Sequence, residues 1–133
     1  MSEKPAVIDT NVLVFDTFED SEKHADSKRL LDTLPEWIIP AIVIHEYVWV
    51  LKGLDMPLAF LREKISEYLF NEKTSFHPTT LSTLNYAIKE MGDIGDYNDY
   101  LILATAINAN RPLATFDKKL SSKARKLGLT ITP

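Results

Sequence analysis

The chain is predicted to be an α/β protein, three layers deep, with a mainly parallel sheet flanked by helices. Short apolar runs alternate along it with segments of helical period, the pattern of βαβ units. Two of those runs, Ala6-Val7-Ile8 and Leu113-Ala114-Thr115-Phe116, end in aspartate, at Asp9 and Asp117. At 133 residues the chain is expected to form one domain over residues 1–133, burying roughly two-thirds of its unfolded surface.

Taken in order, Ala6-Val7-Ile8 reads as a buried strand broken by a turn at Asp9-Thr10-Asn11. Residues 21–34 read as a helix with Leu30, Leu31 and Leu34 in phase, stopped by Pro35. Trp37-Ile38-Ile39 is a second buried strand. The segment from Ala41 to Leu51 is rich in β-branched residues, and periodicity alone leaves it open between strand and helix. From Pro57 to Phe70, Leu58, Leu61, Ile65 and Leu69 make a helical stripe. A short extended piece around Phe76 precedes a helix over 79–91 with Leu81, Leu84 and Ile88 in phase, and Gly92 to Gly95 forms a loop. Residues 97–109 are helical, 113–116 a strand, 118–127 a helix, and 129–131 a last strand after Gly128.

Composition removes whole classes of chemistry. There is no cysteine, hence no disulfide, thiolate zinc site, iron–sulfur cluster or cysteine nucleophile. Four glycines are too few and too scattered for a P-loop or a dinucleotide fingerprint. No apolar run is long enough to span a membrane, and Met1-Ser2-Glu3-Lys4-Pro5 lacks the apolar region of a signal peptide, so a cytoplasmic protein is expected. The net charge of −4 hides an asymmetry. Residues 1–110 hold nine Lys/Arg against eighteen Asp/Glu, whereas residues 111–133 hold six against one. Lys118, Lys119, Lys123, Arg125 and Lys126 make a cluster able to meet a polyanion such as RNA; a solvated helix face is the alternative.

Four acids stand out. Asp9 and Asp117 lie where open α/β sheets place their sites, although either could serve only as a helix cap. Glu46 lies in a stretch where nine of twelve residues, Ala41 to Lys52, are apolar or aromatic, and a carboxylate there needs a partner. Asp99 falls between Leu103 and Ala106 on a helical wheel, opposite the polar stripe of Asn98, Thr105 and Asn108, and is expected to point inward. Asp93, Asp96 and Asp99 recur every third residue, and Asp96 is expected to act as the N-cap of the helix that carries Asp99. His24, His45 and His77 show no ligand pairing. Such a set of hard oxygen donors suits Mg²⁺ or Mn²⁺. Tyr47 and Trp49 are expected in the core, with a homodimer face as the alternative.

In four stretches, Val7-Ile8-Asp9-Thr10-Asn11-Val12-Leu13-Val14, Ile44-His45-Glu46-Tyr47-Val48-Trp49-Val50-Leu51, Asn98-Asp99-Tyr100-Leu101-Ile102-Leu103-Ala104-Thr105-Ala106 and Leu113-Ala114-Thr115-Phe116-Asp117, the chain resembles PIN-domain endoribonucleases. In size it is similar to the VapC-type toxins of toxin–antitoxin pairs. The resemblance spans essentially the whole chain. It implies a five-stranded sheet of order 3-2-1-4-5 and a helix carrying Glu46. It also implies that Asp9, Glu46, Asp99 and Asp117 hold one or two Mg²⁺ or Mn²⁺ ions for hydrolysis of RNA phosphodiesters, with Asn11 and Thr115 as supporting hydrogen-bond partners. An antitoxin is the partner that the resemblance implies, and a homodimer or higher homo-oligomer is expected. Two other readings compete: an inactive RNA- or protein-binding module, and a phosphohydrolase with Asp9 as nucleophile. Asn11 stands where the latter's pattern expects a second aspartate.

Overall fold

Ala6, Val7 and Ile8 are apolar at every position because both faces of their strand are covered, and all three are fully buried in β1 (Ala6–Ile8). The computed structural model describes residues 4–133; part of the N-terminal segment searched for a signal peptide, residues 1–3, lies outside the described residues. β1 pairs in parallel with β2 (Trp37–Pro40) on one side and with β4 (Leu113–Ala114) on the other. Beyond them lie β3 (Thr74–His77) and β5 (Ile131–Thr132), so the all-parallel sheet has the order β3-β2-β1-β4-β5.

Every connection is helical, as parallel pairing requires. α1 (Thr10–Thr17) and α2 (His24–Thr33) join β1 to β2, and α3 (Ala41–Gly53) and α4 (Leu58–Leu69) join β2 to β3. α5 (Leu81–Glu90) and α6 (Tyr97–Ala109) lead to β4, and α7 (Lys118–Lys126) leads to β5. The chain steps outward from β1 to β3 and then returns to lay β4 beside β1. That reversal opens a crevice at the carboxyl ends of β1 and β4.

The structure adds detail that the sequence left open. The expected turn after β1 is the start of α1, so Asp9 passes directly from strand to helix N-cap. A 3-10 turn, Ile94–Asp96, fills the loop before α6. β4 stops at Ala114 and β5 starts at Ile131, which frees Thr115 to Asp117 for the crevice. α6 ends on Asn110, whose left-handed φ of 53° arrests the helix ahead of Pro112.

α3 resolves as a helix despite its β-branched content. Val43, Tyr47 and Leu51, four apart, form its fully buried stripe, whereas Trp49 is 65% exposed, so of the two aromatics only Tyr47 is core. A buried hydroxyl cluster fixes α3 in place. The Thr17 Oγ1 lies 2.7 Å from the Tyr47 hydroxyl and 3.1 Å from that of Tyr68, and Tyr68 donates to Asp16 Oδ2 at 2.8 Å. The two rings meet edge to face at 5.6 Å. Burial pushes the Tyr47 phenol up to about 12 and that of Tyr68 upward too, so both stay protonated. These bonds tie α1, α3 and α4 together, and so set Thr10 against Glu46.

Candidate active site

Asp9 is the first residue beyond β1 and is 6% exposed. Its Oδ1 accepts the Thr10 backbone N–H at 2.7 Å, and its Oδ2 accepts the Thr115 hydroxyl at 2.6 Å. Burial, aided by the charges of Glu46 and Asp117 and opposed by those two hydrogen bonds, pushes the Asp9 carboxyl up to about 6. Thr115, the first residue beyond β4, also accepts the Asp117 backbone N–H at 3.0 Å. A single buried hydroxyl thus joins the ends of the two strands that flank the crevice. Asn11 adds a longer tie, its Oδ1 accepting the Phe116 N–H at 3.5 Å.

Glu46 projects from α3, half-buried. The partner that its apolar segment demands is not a charge but two neutral donors: the Thr10 hydroxyl at 2.6 Å to Oε1 and the Asn98 amide at 3.1 Å to Oε2. Asn98 therefore belongs to the site and not to a solvated stripe. Asp117 caps α7, its Oδ1 accepting the N–H groups of Lys119 and Leu120 at 2.8 and 3.2 Å.

Asp99 differs most from expectation. It lines the cleft only partly buried, its side chain 28% exposed, and its cation is a lysine. Lys123 Nζ donates to Asp99 Oδ2 at 2.9 Å and to Asp96 Oδ1 at 2.8 Å. Asp96 occupies the N-cap position of α6 but makes no side-chain capping bond, because its carboxylate turns to the ammonium instead. The hydrogen bond from Lys123 holds the Asp96 carboxyl below its usual range.

All four acids, with Thr10, Asn11, Val14, Phe15 and Val50, line one open cleft of about 320 Å³. None of the three histidines lines it. Two larger cavities, of about 500 and 600 Å³, contain none of these acids. Asp93 is exposed and outside the cleft. On α7, Lys118, Lys119, Arg125 and Lys126 are exposed, whereas Lys123 is half-buried in its ion pairs.

Whether these residues suit a divalent ion follows from their chemistry. The donors are hard oxygens without a thiolate, and the like charges of Glu46 and Asp117 already raise Asp9, a repulsion that a cation would relieve. Each singly hydrogen-bonded oxygen keeps a second lone pair, and Asp117, whose Oδ1 accepts two bonds, keeps its Oδ2. As placed, however, no three acidic or imidazole side chains among the described residues stand close enough to one point to hold an ion. The donor set fits Mg²⁺ or Mn²⁺ in kind.

Sequence reasoning missed Thr10, Asn98 and the pairing of Lys123. Thr10 and Asn98 each sit one residue from a recognised acid, and adjacency was the only signal. Nothing local marked Lys123.

The sequence profile of the PIN domain matches residues 6–126. No curated protein matches the chain. Among solved structures it is similar to VapC20 of Mycobacterium tuberculosis, described as a Sarcin-Ricin loop cleaving toxin. The TM-score is 0.73 at 15% identity, over 89% of this chain and 94% of that one. It is also similar to a toxin–antitoxin complex from Klebsiella pneumoniae, with TM-score 0.68 at 18% identity over 96% of each chain. A third similar structure is VapBC2 from Rickettsia felis bound to a DNA fragment from their promoter, with TM-score 0.63 at 18% identity over 96% of this chain and 97% of that one. At such identities the likeness is one of fold.

Proposed function

The chain belongs to the PIN domain family, and from that premise we propose that it is an Mg²⁺- or Mn²⁺-dependent endoribonuclease, one PIN domain throughout, acting as the toxin of a toxin–antitoxin pair. One observation carries the reading: Asp9, Glu46, Asp99 and Asp117, from four separate segments, converge on a single cleft at the topological switch point. Those four would hold the ion. When bound, it supplies an activated water and screens the charge that develops on a scissile phosphate.

The protein's own groups prepare that chemistry. Asp9, at about 6, is ionised at neutral pH and available as a ligand. Thr115 fixes its Oδ2, and Thr10 and Asn98 hold both oxygens of Glu46, so these two carboxylates are oriented before any ion arrives. Asp117 is held by the first turn of α7, which leaves its Oδ2 for the cleft. Exposed on α7, the helix that Asp117 caps, Lys118, Lys119, Arg125 and Lys126 offset the acids' repulsion of RNA.

The neighbour described as a toxin–antitoxin complex supports a protein antitoxin as partner, and a homodimer or higher homo-oligomer is a further part of the proposal. No helix of the described residues is long and apolar enough to cross a membrane, and action on RNA in the cytoplasm is the corresponding proposal.

The test is incubation of the purified protein with end-labelled RNA, with and without Mn²⁺ and EDTA. Internal cleavage that requires Mn²⁺ and is lost in Asp9→Asn is the expected result. Binding of RNA without cleavage at any metal concentration would instead favour a binding module.

A further inference from the structure

Lys123 is the one cation among the described residues that grips two acids at once, and it does so at the edge of the cleft. Its ammonium lies 2.8 Å from Asp96 Oδ1 and 2.9 Å from Asp99 Oδ2, with the Tyr100 ring centroid 5.8 Å away. The side chains are 16% exposed for Lys123, 25% for Asp96 and 28% for Asp99, so water screens the contacts only in part. This grouping joins α6 to α7 and holds one of the four acids already assigned to the metal.

Two-metal phosphodiester sites place their ions about 4 Å apart and need carboxylates enough for both. Here Asp99, one of the four acids lining the cleft, has one oxygen engaged by an ammonium, and Asp96, three residues before it, is engaged by the same ammonium. A second divalent ion held by Asp99 and Asp96 together would have to displace the ammonium that already occupies one oxygen of each, which like-charge repulsion opposes, whereas the other Asp99 oxygen is left for the first ion.

We infer that Lys123 takes the place of a second metal: the cleft accepts one divalent ion, and the Lys123 ammonium, bridging Asp96 and Asp99, is its second positive charge. Lys123 is thus a positioning residue for Asp99 and not part of the RNA-guiding surface of α7. Replacing it with a neutral side chain leaves Asp96 and Asp99 uncompensated beside each other, and a second divalent ion becomes the means of neutralising them.

The inference rests on the metal site proposed above, and counting ions separates the two. Mn²⁺ stoichiometry is measured by calorimetry and by electron paramagnetic resonance of free Mn²⁺, on wild type, Lys123→Gln, Lys123→Met and Lys123→Arg. One ion in wild type and Lys123→Arg, and two in Lys123→Gln and Lys123→Met, is the expected pattern. Adding Asp96→Asn to Lys123→Gln should return the count to one. The glutamine variant keeps an amide donor for the two carboxylates, so it retains the helix contact even where methionine loosens it. Two ions in wild type, or one in the folded Lys123→Gln protein, overturns the role given to Lys123 and leaves the nuclease reading intact. No Mn²⁺ bound to wild type at millimolar concentration overturns the metal site itself.

Discussion

Asp9 is the residue on which stability and the proposed function pull in opposite directions. Its carboxyl titrates at about 6 in the folded chain against 3.8 for an ordinary aspartate, so between those values the folded state holds a proton that the unfolded state has released. Stability of the metal-free protein therefore falls as pH rises through about 4 to 6, and the penalty, about 3 kcal/mol at most, is complete above pH 6. Thermal melts in EDTA from pH 4 to 8 should show this decline, and Asp9→Asn should flatten it while raising the melting temperature at pH 7. A loss of stability in metal-free Asp9→Asn would make the hydrogen bonds to Thr10 and Thr115 the dominant role of the residue. Thr115→Val is the complementary change. It removes the donor to Asp9 Oδ2 and the acceptor of the Asp117 N–H. The expected cost is about 1–3 kcal/mol at pH 7. Since the Thr115 bond is what most lowers the Asp9 value, the pH window of declining stability should extend above 6 in this variant. An unchanged window would show that the bond does not bear on Asp9.

Among the elements, α7 holds Lys123 in ion pairs and leaves its other basic residues exposed. Lys119 and Lys126 lie on the same stripe as Lys123, one turn before it and one after, but remain exposed. In an Asp9→Asn background with EDTA, Lys119→Glu together with Lys126→Glu should weaken RNA binding at low salt. It should also reduce the slope of log K against log salt by about 1.4, for two lost contacts to a single strand. Unchanged affinity and slope would return these residues to an ordinary solvated face. α7 was also legible, since Asp117 before a charged, amphipathic run reads as a cap, and it is one. α6 was legible in its bounds from its helical period although Asp96 makes no capping bond, while the direction of Asp99 was not, because the ammonium that draws it lies 24 positions away. α3 was ambiguous because Ile42, Val43, Ile44, Val48 and Val50 favour strands locally; its helix depends on packing Val43, Tyr47 and Leu51 into a core that the segment alone does not reveal. The start of α1, within Asp9-Thr10-Asn11, reads as a turn in the sequence, and the apolar run Val12, Leu13, Val14 and Phe15 that follows has no helical gap. Two of them, Val12 and Leu13, are fully buried while Val14 and Phe15 reach the cleft, so the run serves the core and the site together.

For the whole molecule, the site exists only in the folded chain. Its acids span Asp9 to Asp117, and the pairing of β1 with β4 is what brings the two ends together. The unfolded chain scatters them, so a divalent ion that binds the cleft binds the native state far more tightly than the unfolded one and must stabilise it by mass action. At a hundredfold excess over its dissociation constant the gain is about 2.7 kcal/mol. For a chain of 133 residues that corresponds to a rise of about 10 °C in melting temperature. The net charge of −4 means that any salt also relieves general repulsion, so the comparison is made against KCl of equal ionic strength, which supplies only the screening. Mn²⁺ at pH 7.5 should raise the melting temperature well beyond that control, EDTA should reverse the rise, and Asp9→Asn should lose most of it. The response should also shrink at pH 5, where Asp9, at about 6, is largely protonated in the folded protein and the proton competes with the ion. A melting temperature that follows ionic strength alone, with no difference between Mn²⁺ and KCl, would remove the metal from the cleft and leave the four carboxylates as caps and hydrogen-bond acceptors.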